Sequence, residues 1–321
     1  MLEEVERMST KFDIDNVGPL TEYLWCIMHF NDTIIENCPR SVTMTQPTLI
    51  QRLTDEFNPL QTSMTTPGAH KTRLLKAPAD ECVPPSQQKE YRSIVGILIH
   101  IARWTRPDVM NAAREAAKHM QVSAPAHMRY LNVQIGFLTR TKGRGWILEP
   151  KRTWDKRDKT FKFRINGKPD SDYATCTETR RSVAGFMVWL EGALISIRSV
   201  MQKIVALSSA EAELIALVMC VQEMMSIKKL IESLELQIEL PMLVQCDNKA
   251  AVDLVNGHQS AGGTKHIDVR LHYARELKEA GVIRVKWIST ELNEADVLTK
   301  NTDHKVFDKH CVKFMDETES A

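Results

Sequence analysis

Four carboxylates fall where the predicted secondary structure changes. Asp170 lies in KPDSDYA at the end of a strand, Glu213 in SSAEAELIAL at the start of a helix, Asp247 closes the apolar run MLVQCDN, and Asp296 sits in NEADVLTK at the start of a last helix. Taken alone, Glu213 reads as a solvated first-turn acid that favours the helix dipole. The other three acids change that balance, because the four together form an acidic set. Such a set suits Mg²⁺, which prefers oxygen ligands in octahedral geometry. Two such ions about 3.5 to 4 Å apart stabilise both the attacking and the leaving oxygens of a phosphodiester displacement.

The elements that must position these acids are legible from spacing. Ser208 followed three residues later by Glu211 fits a capping box. Behind it Leu214, Leu217, Val218, Val221 and Met225 recur at intervals of three and four, a core-facing helical stripe with Glu213 at its edge. This helix is expected from Ser209 towards Leu234, in one or two pieces. Strands are predicted near 161–172, 183–190 (VAGFMVWL) and 193–199, with Glu191-Gly192 as a turn. A strand at 242–247, a short helix from Asn248, a helix at 267–280, a strand at 282–288 and the last helix follow. Three successive strands, then helices alternating with two more, predict a mixed five-stranded sheet flanked by helices. Upstream, PTLIQRLTDEF reads as a helix, 58–90 with its five prolines as a linker or long loop, and 91–120 as two helices broken near Arg106-Pro107. Another helix is expected at 125–138.

Composition narrows the class. The chain has 321 residues, 43% hydrophobic, enough for two or three modules with cores of their own. A net charge of +1 gives no global basic field, so any nucleic-acid surface must be local. Seven scattered cysteines, none paired at metal-ligand spacing, read as small buried hydrophobes in a reducing compartment. The polar start MLEEVERMSTK is no signal peptide, and no apolar run approaches the roughly 18 residues of a membrane helix. An intracellular protein, of cytoplasm or nucleus, is expected.

The motifs DSDYATCTETRRSVAGF, LSSAEAELIAL, CDNKAAV, TKHIDVRLHYARE and ADVLTK, in this order, resemble the ribonuclease H domain of copia-type LTR retrotransposon polyproteins. By that resemblance Asp170, Glu213, Asp247 and Asp296 are the metal-binding and catalytic carboxylates, with Asp172 the alternative to Asp170. The cofactor it implies is a pair of Mg²⁺ ions, for which Mn²⁺ can substitute. The implied partner is an RNA–DNA hybrid, whose RNA strand is hydrolysed to leave a 3′-hydroxyl, and no membrane is involved. FDIDNVGPLTEYLW and the phrases YRSIVG, TRPDV and SAPAHMRYL resemble the end of the reverse-transcriptase palm and the helical thumb or connection. The expected division is therefore 1–72 palm remnant, 73–150 helical thumb/connection and 151–315 ribonuclease H-like domain. No Asp-Asp dipeptide occurs in the chain, so no polymerase activity is expected of it alone. The alternative is a catalytically inactive retroelement remnant that at most binds nucleic acid or protein. In its favour, Tyr-Ala-Thr follows Asp172 where the family has Trp-Ala-Gly.

Three further features carry expectations. The connector 151–168, KRTWDKRDKTFKFRINGK, reads either as a solvated basic run or as a phosphate-tracking patch through Lys156, Arg157 and Lys159, with Trp154 and Phe161 packing or stacking. Asn248 reads either as a helix cap or as a donor and acceptor to a 2′-hydroxyl in the hybrid minor groove. His258, His266 and His272 cluster without zinc spacing. Lastly, Pro169 cannot donate to a ladder, so a bulge or early strand end is expected beside Asp170, with weakened activity as its consequence.

Overall fold

The run VAGFMVWL is apolar at successive positions rather than alternate ones, which requires cover on both faces of the sheet that contains it. The computed structural model describes residues 21–31, 34–35, 38–39, 41–57, 59, 65–155, 158, 160–257 and 265–317, and it supplies that cover. In chain order the main strands are β1 (Glu22–Tyr23), β2 (Cys26–Phe30), β3 (Val42–Thr45), β4 (Arg144–Leu148), β5 (Ile165–Asp172), β6 (Val183–Leu190), β7 (Ala193–Met201), β8 (Met242–Cys246), β9 (Ile283–Trp287) and β10 (Met315–Glu317). The main helices are α1 (Pro47–Phe57), α2 (Pro85–Trp104), α3 (Met110–Ala117), α4 (Pro125–Arg140), α5 (Ser209–Ser233), α6 (Lys249–Asn256), α7 (Lys265–Glu279), α8 (Asp296–Thr299) and α9 (His304–Cys311).

One five-stranded sheet has the order β7-β6-β5-β8-β9. Its first three strands are antiparallel, while β5, β8 and β9 run parallel, as expected of a mixed five-stranded sheet flanked by helices. Phe186 and Val188 face a core with α5, α6 and α7. Met187 and Leu194 face the opposite way, into the chain's first core, built on α1 to α4. Two glycines let helices approach closely. A Cβ on Gly167 would meet Cys220 Sγ of α5 at 2.5 Å, and one on Gly185 would meet Leu298 Cβ of α8 at 2.9 Å. Glu191 and Gly192 both have positive φ (53° and 92°), the backbone that a two-residue hairpin turn demands. The buried Glu191 carboxylate is fixed by Arg152, which donates Nε and Nη2 at 2.6 Å and stacks 4.7 Å from the Phe161 ring centroid. Phe161 and Trp154 each contact Phe163 edge-on, so of the two expectations for these aromatics the structure shows packing.

The helix from Ser209 is one piece of 25 residues. Its entry is a variant of the expected box: the Ser208 hydroxyl accepts from Glu211 N, while the Glu211 carboxylate accepts from Leu207 N. Helix α2 begins at Pro85, so the prolines of 58–90 end in a helix start rather than a continuing loop. It stops before Arg106 because Pro107 disfavours the helical conformation at its predecessor. Arg106 is fully buried, donates Nε and Nη2 to Asp108 at 2.9 and 2.8 Å, and reaches the Thr141 carbonyl and hydroxyl on the far end of α4.

The other sheet has the order β1-β2-β3-β4-β10, all antiparallel, so its strands come from both ends of the described chain. The two cores likewise do not separate cleanly at residue 150. Val297, Leu298, Phe307, Cys311, Phe314 and Met315 all pack into the core of α1 to α4.

The expected bulge beside Asp170 is absent. The ladder of β5 with β6 runs unbroken from Ile165 opposite Leu190 to Asp172 opposite Val183, through Pro169 opposite Phe186. On the other side the ladder with β8 holds only Asn166 and Gly167, so it ends before the proline. The Pro169 carbonyl accepts from the Asn293 side-chain amide at 2.9 Å, which takes the place of the missing strand. In an extended strand the N–H and C=O of one residue point the same way. The position without an N–H therefore faces Asn293, away from β6, and no ladder bond is lost. Pro169→Ser is expected to leave the melting temperature unchanged or slightly lower, because it loosens the unfolded chain without adding a ladder bond. Asn293→Ala is expected to cost about 1 to 3 kcal/mol by leaving that buried carbonyl without a donor. Urea unfolding of the two variants checks both, and a clear rise in stability for Pro169→Ser would mean that the proline strains the strand.

Candidate active site

Strand β5, the central strand, carries Asp170 near its C-terminal end on the α8 face, opposite Gly185 and beyond the last residue paired with β8. Strand β8 ends at Cys246, so Asp247 emerges beside it, while the second turn of α5 contributes Glu213 and the first residue of α8 contributes Asp296. Carboxylate oxygens of Asp170, Asp247 and Asp296 lie within 4.8 Å of one another. Asp247 also belongs, by the same measure, to a group with Glu213 and Cys246. The structure thus gathers all four acids around Asp247.

These acids are held inside the protein: Asp170 is 3% exposed, Asp296 5% and Glu213 6%. Burial, then the charges of Glu213 and Asp296, raise Asp170 well above the usual carboxylate range. Glu213 is pushed up to about 8, by burial first and by Asp247 second. Asp247 is raised by burial and by Asp296, against hydrogen bonds from Thr290 and Asn293. Lys300 ion-pairs with Asp296 at 2.9 Å and offsets part of this charge. Its own pKa is raised, since Asp170 and Asp296 outweigh its burial.

Neighbouring groups fix each acid in place. The Thr299 hydroxyl donates to Asp170 Oδ2, and Ser171 N donates to Glu213 Oε1 at 3.1 Å. Asn293 binds the Pro169 carbonyl, Ala295 N and Asp247. Glu294, next to it, is clamped by Lys168 at 2.5 Å and by Lys313. Although burial would raise it, these two hydrogen bonds hold Glu294 below its usual range. The turn before α8 is thereby pinned to β5 on one side and to the C-terminal end of the chain's first core on the other.

The donor set is chemically uniform. Burial raises the Cys246 thiol well above its ordinary value, so at neutral pH it is a neutral donor to Glu213 rather than a soft thiolate ligand. What remains is four carboxyl groups, a hard oxygen set that on losing its protons is of the kind that Mg²⁺ or Mn²⁺ takes. No histidine belongs to either group of possible metal ligands among the described residues. His272 stands on the exposed side of α7 near Asp268, and His258 lies outside the described residues.

Asp172 is not part of the cluster. Arg73 Nη2 contacts its Oδ2 at 3.1 Å, and burial outweighs Arg73 to leave its pKa raised. Asn248 caps α6, its side-chain oxygen accepting from Ala251 N at 3.0 Å. Lys156, Arg157 and Lys159 lie outside the described residues. Arg73, Asn293, Thr299 and Lys300 are the site residues that sequence reasoning did not assign. The last three stand in NEADVLTK beside Asp296, a signal open to reading, whereas Arg73 is 99 positions from its partner and carries none.

No protein-family model matches the chain. It is 29% identical over 305 residues to "Retrovirus-related Pol polyprotein from transposon TNT 1-94" of Nicotiana tabacum, an alignment covering 94% of this chain and 22% of that protein. It is 30% identical over 242 residues to the corresponding polyprotein from transposon RE2 of Arabidopsis thaliana, covering 75% of this chain and 16% of that one. The chain therefore spans 22% and 16% of the lengths of these two relatives. Among solved structures it is similar to LC11-RNase H1 in complex with an RNA/DNA hybrid, at 16% identity and a TM-score of 0.34, over 42% of this chain and 94% of that one. It is also similar to the foamy viral protease-reverse transcriptase in complex with double-stranded DNA, at 14% identity and a TM-score of 0.40, over 82% and 46%. The strand order given above, rather than these loose superpositions, carries the fold. By sequence over most of its length, the chain is a homologue of the retrovirus-related Pol polyproteins of plant transposons, consistent with the copia type.

Proposed function

We propose that this chain hydrolyses the RNA strand of RNA–DNA hybrids with two divalent cations, Mg²⁺ or in its place Mn²⁺, held by Asp170, Glu213, Asp247 and Asp296. The observation that carries the reading is the convergence of three carboxylates from three separate elements, Asp170, Glu213 and Asp296, on a fourth, Asp247. Bound cations would supply the positive charge that favours an attacking water and a leaving oxygen on the phosphodiester. The protein's own part is to hold the acids rigidly: Thr299 orients Asp170, Ser171 N orients Glu213, and Asn293 orients Asp247. Asp172 is set aside as a ligand because Arg73 holds it. Asn248 spends its acceptor on the α6 cap, so a contact to a 2′-hydroxyl would use its amide hydrogens. Lys156, Arg157 and Lys159 keep their proposed role as phosphate contacts on sequence grounds alone. We assign no polymerase activity to this chain, and we retain 1–72, 73–150 and 151–315 as a division by ancestry rather than by separate cores. An intracellular site of action is part of the proposal. Among the described residues no helix is long and apolar enough to cross a membrane.

Asp247→Asn keeps the size of the side chain but removes the charge shared between the two groups. Mg²⁺-dependent cleavage of a fluorescent RNA–DNA hybrid should fall by about two orders of magnitude or more, while hybrid binding persists. Near-normal cleavage by this variant would sink the assignment. A wild-type chain that binds the hybrid yet never cuts it would instead favour the inactive-remnant reading.

The buried acids also set a pH dependence. Glu213 keeps its proton in the folded state up to about pH 8, whereas in the unfolded chain it loses it near 4.5. Between those values the folded state binds more protons, so without metal its stability falls as pH rises. A cation that binds the ionised cluster reverses this, because it stabilises only the deprotonated fold. Melting temperatures in EDTA should therefore drop from pH 5 to pH 8 more steeply for the wild type than for Glu213→Gln. Added Mg²⁺ should raise the wild-type value more at pH 8 than at pH 6. Parallel profiles for the two proteins, with no Mg²⁺ shift, would show that the acids do not form a metal site.

A further inference from the structure

Next to the acidic cluster lies a second cleft, of opposite charge, built across the junction between the first core and the sheet of β5 to β9. It encloses about 370 Å³ between residues 73–76, the end of α3 and the turn that follows β5. Arg73, Lys76, Lys118 and Arg181 line it, against Glu178 as the one acid, and the turn adds the side chains of Thr175, Thr177 and Thr179. Lys118 is engaged by Glu115 at 2.7 Å and Arg73 by Asp172. Among the described residues no carboxylate comes within ion-pair distance of Lys76 or Arg181, both of which are exposed.

Arg73 is the wall between the two sites. Its Nη1 donates to the Thr175 carbonyl at 3.2 Å on the basic side. On its other side it borders a cleft of about 540 Å³ that holds Asp296, Thr299 and Lys300. Asp172, which it grips, is two residues along β5 from Asp170, or about 7 Å at the usual rise of a strand. An extended polyanion whose scissile group sits at the acids and which runs past Arg73 lays a neighbouring charge on the basic cleft.

We propose that this basic cleft binds backbone phosphates of the nucleic acid one or two nucleotides from the cleaved bond, with Lys76 and Arg181 as the contacting cations. Segment 65–76 and α3 then complete the hydrolase surface from outside residues 151–315. Asn301 straps that segment down through Thr72 O at 2.9 Å and Lys71 N at 3.2 Å, and is itself held by Asn111 of α3 at 2.9 Å. The proposal rests on the hybrid-cleavage reading above.

The test is hybrid binding by the full chain in EDTA, measured across a salt series, for the wild type and for Lys76→Gln/Arg181→Gln. Loss of two phosphate contacts should weaken binding and make the slope of log K against log salt shallower by about 1.4 to 1.8, at 0.7 to 0.9 per contact. Lys228→Gln/Lys229→Gln removes two charges about 22 Å or more along α5 from Glu213, judged from helical rise, and should leave the slope unchanged. With Mg²⁺, the basic-cleft variant should show a raised KM at unchanged kcat. An unaltered slope and affinity in that variant overturns the proposal, and so does an equal loss in the control pair. Inorganic phosphate that displaces the hybrid from the wild type at low concentration, and not from the variant, would reassign the cleft to a free anion. Binding that follows the predicted slopes while the wild type fails to cut would uphold the cleft and overturn the cleavage reading instead.

Discussion

Three acids must be held around a fourth, Asp247, and wherever two neighbours in this set are ionised they repel. At 4 Å and an effective dielectric of 20, each such pair costs about 4 kcal/mol, so the cluster opposes the fold that creates it. Part of that cost is lowered by protonation, which is what the raised Asp170 and Glu213 express. The rest has to be met by packing that leaves the acids nowhere else to go. Gly167 and Gly185 allow α5 and α8 to close on opposite faces of the sheet without side chains intervening. Glu213 is locked behind the buried apolar face of a 25-residue helix whose removal from the sheet would expose Leu214, Leu217, Val218 and Val221. The cluster is therefore rigid for the same reason that it is unfavourable: its acids ride on elements that the core will not release.

Helix α8 shows how tightly the two demands are interleaved. Within five consecutive residues Asp296, Thr299 and Lys300 serve the acidic cluster, while Val297 and Leu298 are buried in the core of α1 to α4. Glu294 just before it is clamped by Lys168 from β5 and Lys313 from the C-terminal end. A displacement of Asp296 would have to repack a core that interdigitates like a solid. The first core, which carries none of the four acids, is thus part of what aims them.

Much of this was open to reading from the sequence. The unbroken apolar run 183–190, the Glu-Gly turn and the Ser208 cap follow from local chemistry, and the strand and turn bounds agree with the structure at those positions. The choice between Asp170 and Asp172 was not open to it. Residues two apart on a strand share a face, so the period that identifies a strand cannot separate them. What separates them is Arg73, brought in by tertiary folding from 99 positions away. Pro169 misled for a related reason. A proline harms a strand only if its nitrogen faces a partner, and which side it faces depends on register with β6 and on where β8 ends, neither of which is written in the residues around it.

The same dependence on distant partners bears on how the chain can be divided. A cut at residue 150 looks natural by motif, since the acidic residues all follow it. Yet Arg73, Asn111 and Arg114 precede it, and they reach Asp172, Asn301 and Ser199 across the junction. Strand β10 completes a sheet begun by β1, and Phe307, Cys311 and Phe314 fill the core of the helices before residue 150. A piece beginning at 151 would expose those side chains and Met187 and Leu194 on the uncovered face of its sheet, a contiguous apolar surface of the kind that soluble monomers seldom carry. Burial on that face is what orients α8, so the geometry of the acids belongs to the whole described chain rather than to the segment that contains them.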